Sequence, residues 1–187
     1  MEQVSPMSKT KNRIPLARGQ QLAAAIIGEL QPGCERIEVA GSIRRRRPDI
    51  GDIEIVCIPK VKLDLLGNRL GTHLDAILDA LVQAKRLEKV KGGDLYRQYL
   101  LPKHDGVKLD LFITDTSKWA CIFTIRTGPA SFSSRLVATR ALGGLTPFNM
   151  RFNLGRLWYD GAPMETPEER DVFTALGLEW IEPWNRS

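Results

Sequence analysis

From Asp52 to Pro59 the chain reads Asp-Ile-Glu-Ile-Val-Cys-Ile-Pro, an alternation that ends at the proline. This period predicts a strand, with Asp52 and Glu54 on one face about 6–7 Å apart and Ile53 and Ile55 turned to a core. Residues 107–113 repeat the pattern, with Val107, Leu109, Leu111 and Ile113 on one face and Lys108 and Asp110 on the other. If the two strands are neighbours, Asp110 joins Asp52 and Glu54. Three carboxylates so placed repel by several kcal/mol even at an effective dielectric of about 20, so cations must compensate. Two hard divalent ions roughly 3.5–4 Å apart would do so. The plainer alternative is a half-exposed sheet with acids on its wet face.

The segment upstream shifts the balance. Gly41 and Ser42 come first, then four arginines at 44–47, then Gly51 directly before Asp52. Glycine admits close backbone approach, and serine offers a hydroxyl beside backbone amides to a phosphate oxygen. Arginine grips phosphate in bidentate fashion, so one or two of the four could clamp a triphosphate. No Walker-type loop, Gly-x-Ser-x-Gly motif or Cys/His pair competes. Cys34, Cys57 and Cys121 are distant in sequence and form no Cys-x-x-Cys, so reduced thiols are expected. His73 and His104 are isolated, which argues against zinc.

Around this centre the pattern reads as α+β. Helical spacing predicts a helix from Leu16 to Leu30, stopped by Pro32 and Gly33, and a second over 70–82, closed by Gly92 and Gly93. A short strand is expected over 36–40. Residues 94–101 and 107–113 form an antiparallel hairpin across the turn-like Pro-Lys-His-Asp-Gly. Beyond Asp115 the texture changes, with helices expected over 117–125 and 130–142, strands over 151–159, and a short helix opening at Thr166 and Pro167. The expected division is a basic tail at 1–13, a domain over 14–115 and a subdomain over 116–187.

Charge is uneven along the chain. The net value is +5, yet residues 116–158 hold Lys118, Arg126, Arg135, Arg140, Arg151 and Arg156 with no Asp or Glu. A segment of one sign suits a polyanionic partner, or is simply a solvated basic face. Trp119, Trp158, Trp180 and Trp184 could stack on bases, but core or hinge packing is the first expectation for most. No apolar run nears the roughly 18 residues that span a bilayer, and no signal-type segment is seen. The expected setting is cytoplasmic, or wherever the genome is replicated, with no membrane partner.

Gly41, Ser42, Arg45, Gly51, Asp52 and Glu54, with Asp110 in Val-Lys-Leu-Asp-Leu-Phe, resemble the nucleotidyltransferase signature of the family X DNA polymerases, the DNA polymerase beta type. Thr127, Gly128 and Pro129 resemble that family's Thr-Gly segment near the incoming sugar, and residues 161–187 resemble its C-terminal end. The resemblance implies a nucleotidyltransferase palm, a mixed or antiparallel sheet with flanking helices, plus a small α/β thumb-like C-terminal subdomain. It implies that Asp52, Glu54 and Asp110 are catalytic and bind two Mg2+ ions, for which Mn2+ can substitute. Gly41, Ser42, Arg45, Gly51, Thr127 and Gly128 would bind the nucleotide, and Arg126, Arg135 and Arg140 the nucleic acid. Arg44, Arg46 and Arg47 are left as solvated charge or nucleic-acid contacts.

The expected function is a small, monomeric DNA-directed DNA polymerase. It would add nucleotides from a nucleoside triphosphate to the 3′-hydroxyl of a DNA primer/template and release pyrophosphate, in a setting such as gap-filling repair. The alternatives are a template-independent transferase acting on RNA or another acceptor, and a catalytically silent nucleic-acid-binding module. Nothing resembles the family's N-terminal lyase domain or its helix-hairpin-helix grips. Ile125 and Arg126 stand where the family carries an aromatic pair, and residues 143–150 read as an insertion or remodelled turn.

Overall fold

The computed structural model describes residues 13–187. The expected tail at 1–13 lies outside them except for Arg13. The fold is mixed α+β. In chain order the elements are β1 (Ile14–Pro15), α1 (Leu16–Leu30), β2 (Cys34–Val39), α2 (Gly41–Arg44), β3 (Asp49–Ile50), β4 (Asp52–Pro59), β5 (Val61–Leu63), β6 (Arg69–Thr72), α3 (His73–Gln83), β7 (Glu88–Lys91), β8 (Tyr96–Leu101) and β9 (Val107–Ile113). They continue with α4 (Trp119–Thr127), α5 (Ala130–Val137), β10 (Met150–Asn153), β11 (Arg156–Tyr159), β12 (Ala162–Pro163) and α6 (Glu169–Ala175). The principal sheet has five strands in the order β2-β4-β9-β8-β7. Only the central pair, β4 with β9, runs parallel.

Each central strand feeds two cores, because alternate side chains leave opposite faces. Ile53, Ile55, Leu109 and Leu111 are wholly buried on one face with Leu22, Ile26 and Leu30 of α1 and Leu74 and Leu78 of α3. Val56, Ile58 and Phe112 lie on the other, packed with Trp119, Phe123, Phe132, Leu136, Leu157, Val172 and Phe173. Asp52, Glu54 and Asp110 share the parity of Val56 and Phe112. They therefore emerge on that second face, at the end its apolar cover leaves open.

The second helix is shorter than its spacing predicts. It begins at His73, where Thr72 and Asp75 close a capping box, and it ends at Gln83, well before Gly92. Leu70 belongs to the β5–β6 hairpin and is solvent-exposed. Its helical spacing to Leu74 is coincidental, since the cap satisfies the first free N–H groups only from Thr72 onward. Likewise α5 stops at Val137. There Thr139 bridges Thr146, Thr146 N–H donates to the Ala138 carbonyl (3.0 Å), and Arg140 N–H donates to the Thr146 carbonyl (2.7 Å). The expected strands over 151–159 resolve into two, joined at Leu154 and Gly155, both with positive φ (50° and 79°) as a tight type I′ turn requires.

The arginine run is only partly solvated charge: Arg46 and Arg47 are exposed, whereas Arg44 and Arg45 are half-buried. Arg44 is half-buried, donates to Thr127 Oγ1 (2.6 Å) and Glu169 Oε2, and lies over the Phe123 ring at 4.0 Å. Arg46 covers Trp184 at 4.0 Å, and Arg47 reaches the Arg186 carbonyl at 3.5 Å. These partners lie from 79 to 139 residues downstream, so the run ties the first half of the chain to its second half and C-terminal end. All three cysteines are free and buried. Among the described residues no helix is long and apolar enough to cross a membrane.

Candidate functional site

In the β4–β9 register Glu54 stands opposite Asp110, and Asp52 opposite Lys108. A parallel pair sets opposed backbones roughly 4.8 Å apart, so this juxtaposes like charges at a sheet position where they destabilise. Burial first, then the Asp52 charge and that of Asp110, push the Glu54 carboxyl up to about 7, against the pull of Arg45 and Arg126. Among the described residues no group of three or more Asp, Glu, His or Cys closes into a metal-holding cluster. The donors are hard oxygens on one sheet face, a set that suits a divalent cation of the magnesium type.

Glu54 is also pressed against the backbone of Gly41. That glycine has φ +58°, and a Cβ there would sit 1.7 Å from Glu54 Oε2. Gly41→Ala is therefore expected to destabilise the fold by at least the roughly 1–2 kcal/mol of a left-handed non-glycine residue, with Glu54 displaced in addition. Urea unfolding checks this. Gly51→Ala serves as the contrast: a Cβ at Gly51 meets nothing within 4 Å, so little change is expected.

The same shift predicts a pH effect. A carboxyl whose folded pKa lies above its unfolded value stabilises below the unfolded value, and that contribution is lost as pH rises through the folded one. The window for Glu54 runs from about 4.5 to about 7. In chelator at about pH 8, Glu54→Gln is expected to unfold at higher urea than the parent, by on the order of 3 kcal/mol. At pH near 4.5 the two should coincide.

A cavity of about 350 Å³ opens beside these acids, lined by Arg13, Ser42, Arg45, Arg47, Pro48, Asp49, Gly51, Asp52 and Glu54. Ser42 Oγ and Arg45 Nε are buried without a hydrogen-bond partner among the described residues. Ser42 and Arg45 both line this cavity, so it brings a hydroxyl and a guanidinium next to the carboxylates of Asp52 and Glu54. Arg45 is anchored through Nη1 to the Thr127 carbonyl (2.6 Å). Burial lowers its pKa, and the Glu54 charge works against that shift.

The other expected residues are placed as follows. Thr127 is fully buried, and its hydroxyl and carbonyl are taken by Arg44 and Arg45. Gly128 follows at the end of α4, where a Cβ would strike Phe132 and Ser133. Arg126 is exposed, with its guanidinium 4.0 Å over Phe112. Arg135 is exposed on α5, and Arg140 donates to the Leu176 carbonyl (2.9 Å). Two neighbours of Asp110 escaped the sequence reading. Tyr96 and Gln98 of β8 donate to its Oδ1 at 2.8 and 2.7 Å. Their only signal was an alternation shared with many strands.

Residues 145–187 match the family model described as DNA polymerase beta thumb. This segment carries β10, β11, β12 and α6. The match supports a DNA polymerase-type function and DNA binding. No curated protein matches the chain.

Proposed function

We propose that the protein is a metal-dependent nucleotidyltransferase of the family X type. In this reading residues 14–115 form the palm and 116–187 a thumb-like subdomain, working as a small DNA-directed DNA polymerase. The observation that carries it is the single cavity lined by Ser42 and Arg45 together with Asp52 and Glu54. The thumb match over 145–187 supports it from the other end of the chain.

The donor chemistry suits the group such a reaction needs, since the acids of β4 and β9 offer hard oxygens on adjacent strands. Asp52, Glu54 and Asp110 would hold two Mg2+ ions, which when bound lower the pKa of a 3′-hydroxyl and neutralise phosphate charge. The chain's own groups would bind and orient the triphosphate. The Ser42 hydroxyl and the Arg45 guanidinium approach phosphate oxygens as hydrogen-bond donors. Gly51 leaves room beside Asp52. Arg126 and Arg135, exposed in the segment without carboxylates, would meet the nucleic-acid backbone, while Arg140 is held by Leu176 and contributes less. Thr127 and Gly128 would act by anchoring Arg45 and turning the chain beside the nucleotide.

Primer extension tests this on gapped, templated and single-stranded DNA, with deoxy- and ribonucleotides, in magnesium and in manganese. Template-directed, metal-dependent incorporation is expected. Equal addition to single strands, or to RNA, would favour the template-independent alternative with the same site residues. Salt-sensitive DNA binding with no incorporation on any substrate would leave only a binding module.

A further inference from the structure

Tyr96 and Gln98 have no role in the reading above, and their contacts are too specific to be incidental. Gln98 stands directly opposite Asp110 in the antiparallel β8–β9 register, and Tyr96 stands opposite Phe112. The Tyr96 hydroxyl and the Gln98 amide both donate to Asp110 Oδ1, at 2.8 and 2.7 Å, and Gln98 Nε2 also donates to the Tyr96 oxygen at 3.0 Å. The three side chains form a closed triangle. The phenol ring stacks on Phe112 (centroids 5.3 Å, planes 29° apart), and the Arg126 guanidinium of α4 lies 4.0 Å from the Phe112 centroid.

We infer that Tyr96 and Gln98 are positioning residues, which fix Asp110 by one carboxylate oxygen and leave the other for a divalent cation. The inference rests on the metal-binding reading of Asp110. Two features favour positioning over mere satisfaction of a half-buried acid. Both donors converge on Oδ1, where simple satisfaction would be served as well by one donor on each oxygen. Both donors are also neutral, so the carboxylate is oriented while its charge is kept for the cation. A lysine or arginine in either place would compete with that cation. Outer groups of this kind commonly alter metal affinity by 10–100-fold.

The test follows Mn2+ binding by loss of the free-ion paramagnetic resonance signal, with and without dATP. The proteins are the parent, Tyr96→Phe, Gln98→Leu, the double variant and Asp110→Asn, with urea unfolding of each. Tyr96→Phe keeps the ring on Phe112 and deletes only the hydroxyl. The double variant is expected to bind Mn2+ roughly tenfold more weakly than the parent. The Mn2+ concentration for half-maximal incorporation should move in step, while KM for dATP at saturating Mn2+ stays near the parent value. Lowered unfolding midpoints with parental Mn2+ affinity would overturn the inference, because a purely structural role gives that outcome. Asp110→Asn separates the two layers. If it leaves Mn2+ binding unchanged, the metal reading itself fails. If it weakens binding and the double variant does not, only the positioning inference fails.

Discussion

Asp110→Asn is expected to lower nucleotide incorporation by about three orders of magnitude or more, some 4 kcal/mol of transition-state stabilisation, while the fold survives. The expectation of survival comes from the surroundings. Leu109 and Leu111 on either side are wholly buried and untouched by the change. Asparagine retains a side-chain oxygen able to accept from Tyr96 and Gln98, so the triangle on β8 can persist. What disappears is one negative charge opposite Glu54. In the metal-free protein that loss relieves repulsion, so the unfolding midpoint should hold or rise. Catalytic failure without destabilisation is therefore the signature sought. Extension at the parental rate would show that Asp110 is not among the catalytic carboxylates.

The second large effect is one of stability. Glu169→Ala is expected to destabilise the protein by about 3–5 kcal/mol, the range for removing one partner from a buried ion pair. Glu169 is 6 % exposed and Arg186 0 % exposed. Glu169 Oε1 accepts from Arg186 Nη1 at 2.9 Å, and Oε2 accepts from Arg44. Without the carboxylate, Arg186 is left charged in an apolar setting among Phe132, Phe173 and Trp180. Burial already lowers the Arg186 pKa, against the field of Glu169. Urea unfolding monitored by tryptophan emission measures the loss, since Trp180 lies 5.0 Å from that guanidinium. Glu169→Met combined with Arg186→Met should recover much of the stability, because apolar groups of similar volume need no ionic partner.

Much of the fold was legible locally. The helix from Leu16 to Leu30 and the strands at 52–59 and 107–113 were, because burial there follows the backbone period. The β5–β6 hairpin was not. Leu63, Leu65, Leu66 and Leu70 are exposed, so apolar residues there do not mark an inner face and the periodicity misleads. Arg44 misled for the opposite reason. A charge within a basic run reads as wet surface unless distant residues cover it, and Phe123 and Glu169 cover Arg44 while Arg46 and Arg47 stay exposed.

For the candidate site, the division is physical. The sequence alone determined which face of its strand each acid takes, because side-chain alternation is a property of the extended backbone. It also put Gly41, Ser42 and the arginine run immediately before Asp52. Whether the two acidic strands are neighbours, and in what register, was open. Only the tertiary structure decided that β4 and β9 run parallel with Glu54 opposite Asp110, that Arg45 is anchored to Thr127, and that Tyr96 and Gln98 hold one oxygen of Asp110. Register is selected by the fit of buried Ile53, Ile55, Leu109 and Leu111 beneath α1 and α3. A shift by one residue would exchange the two faces of the strand.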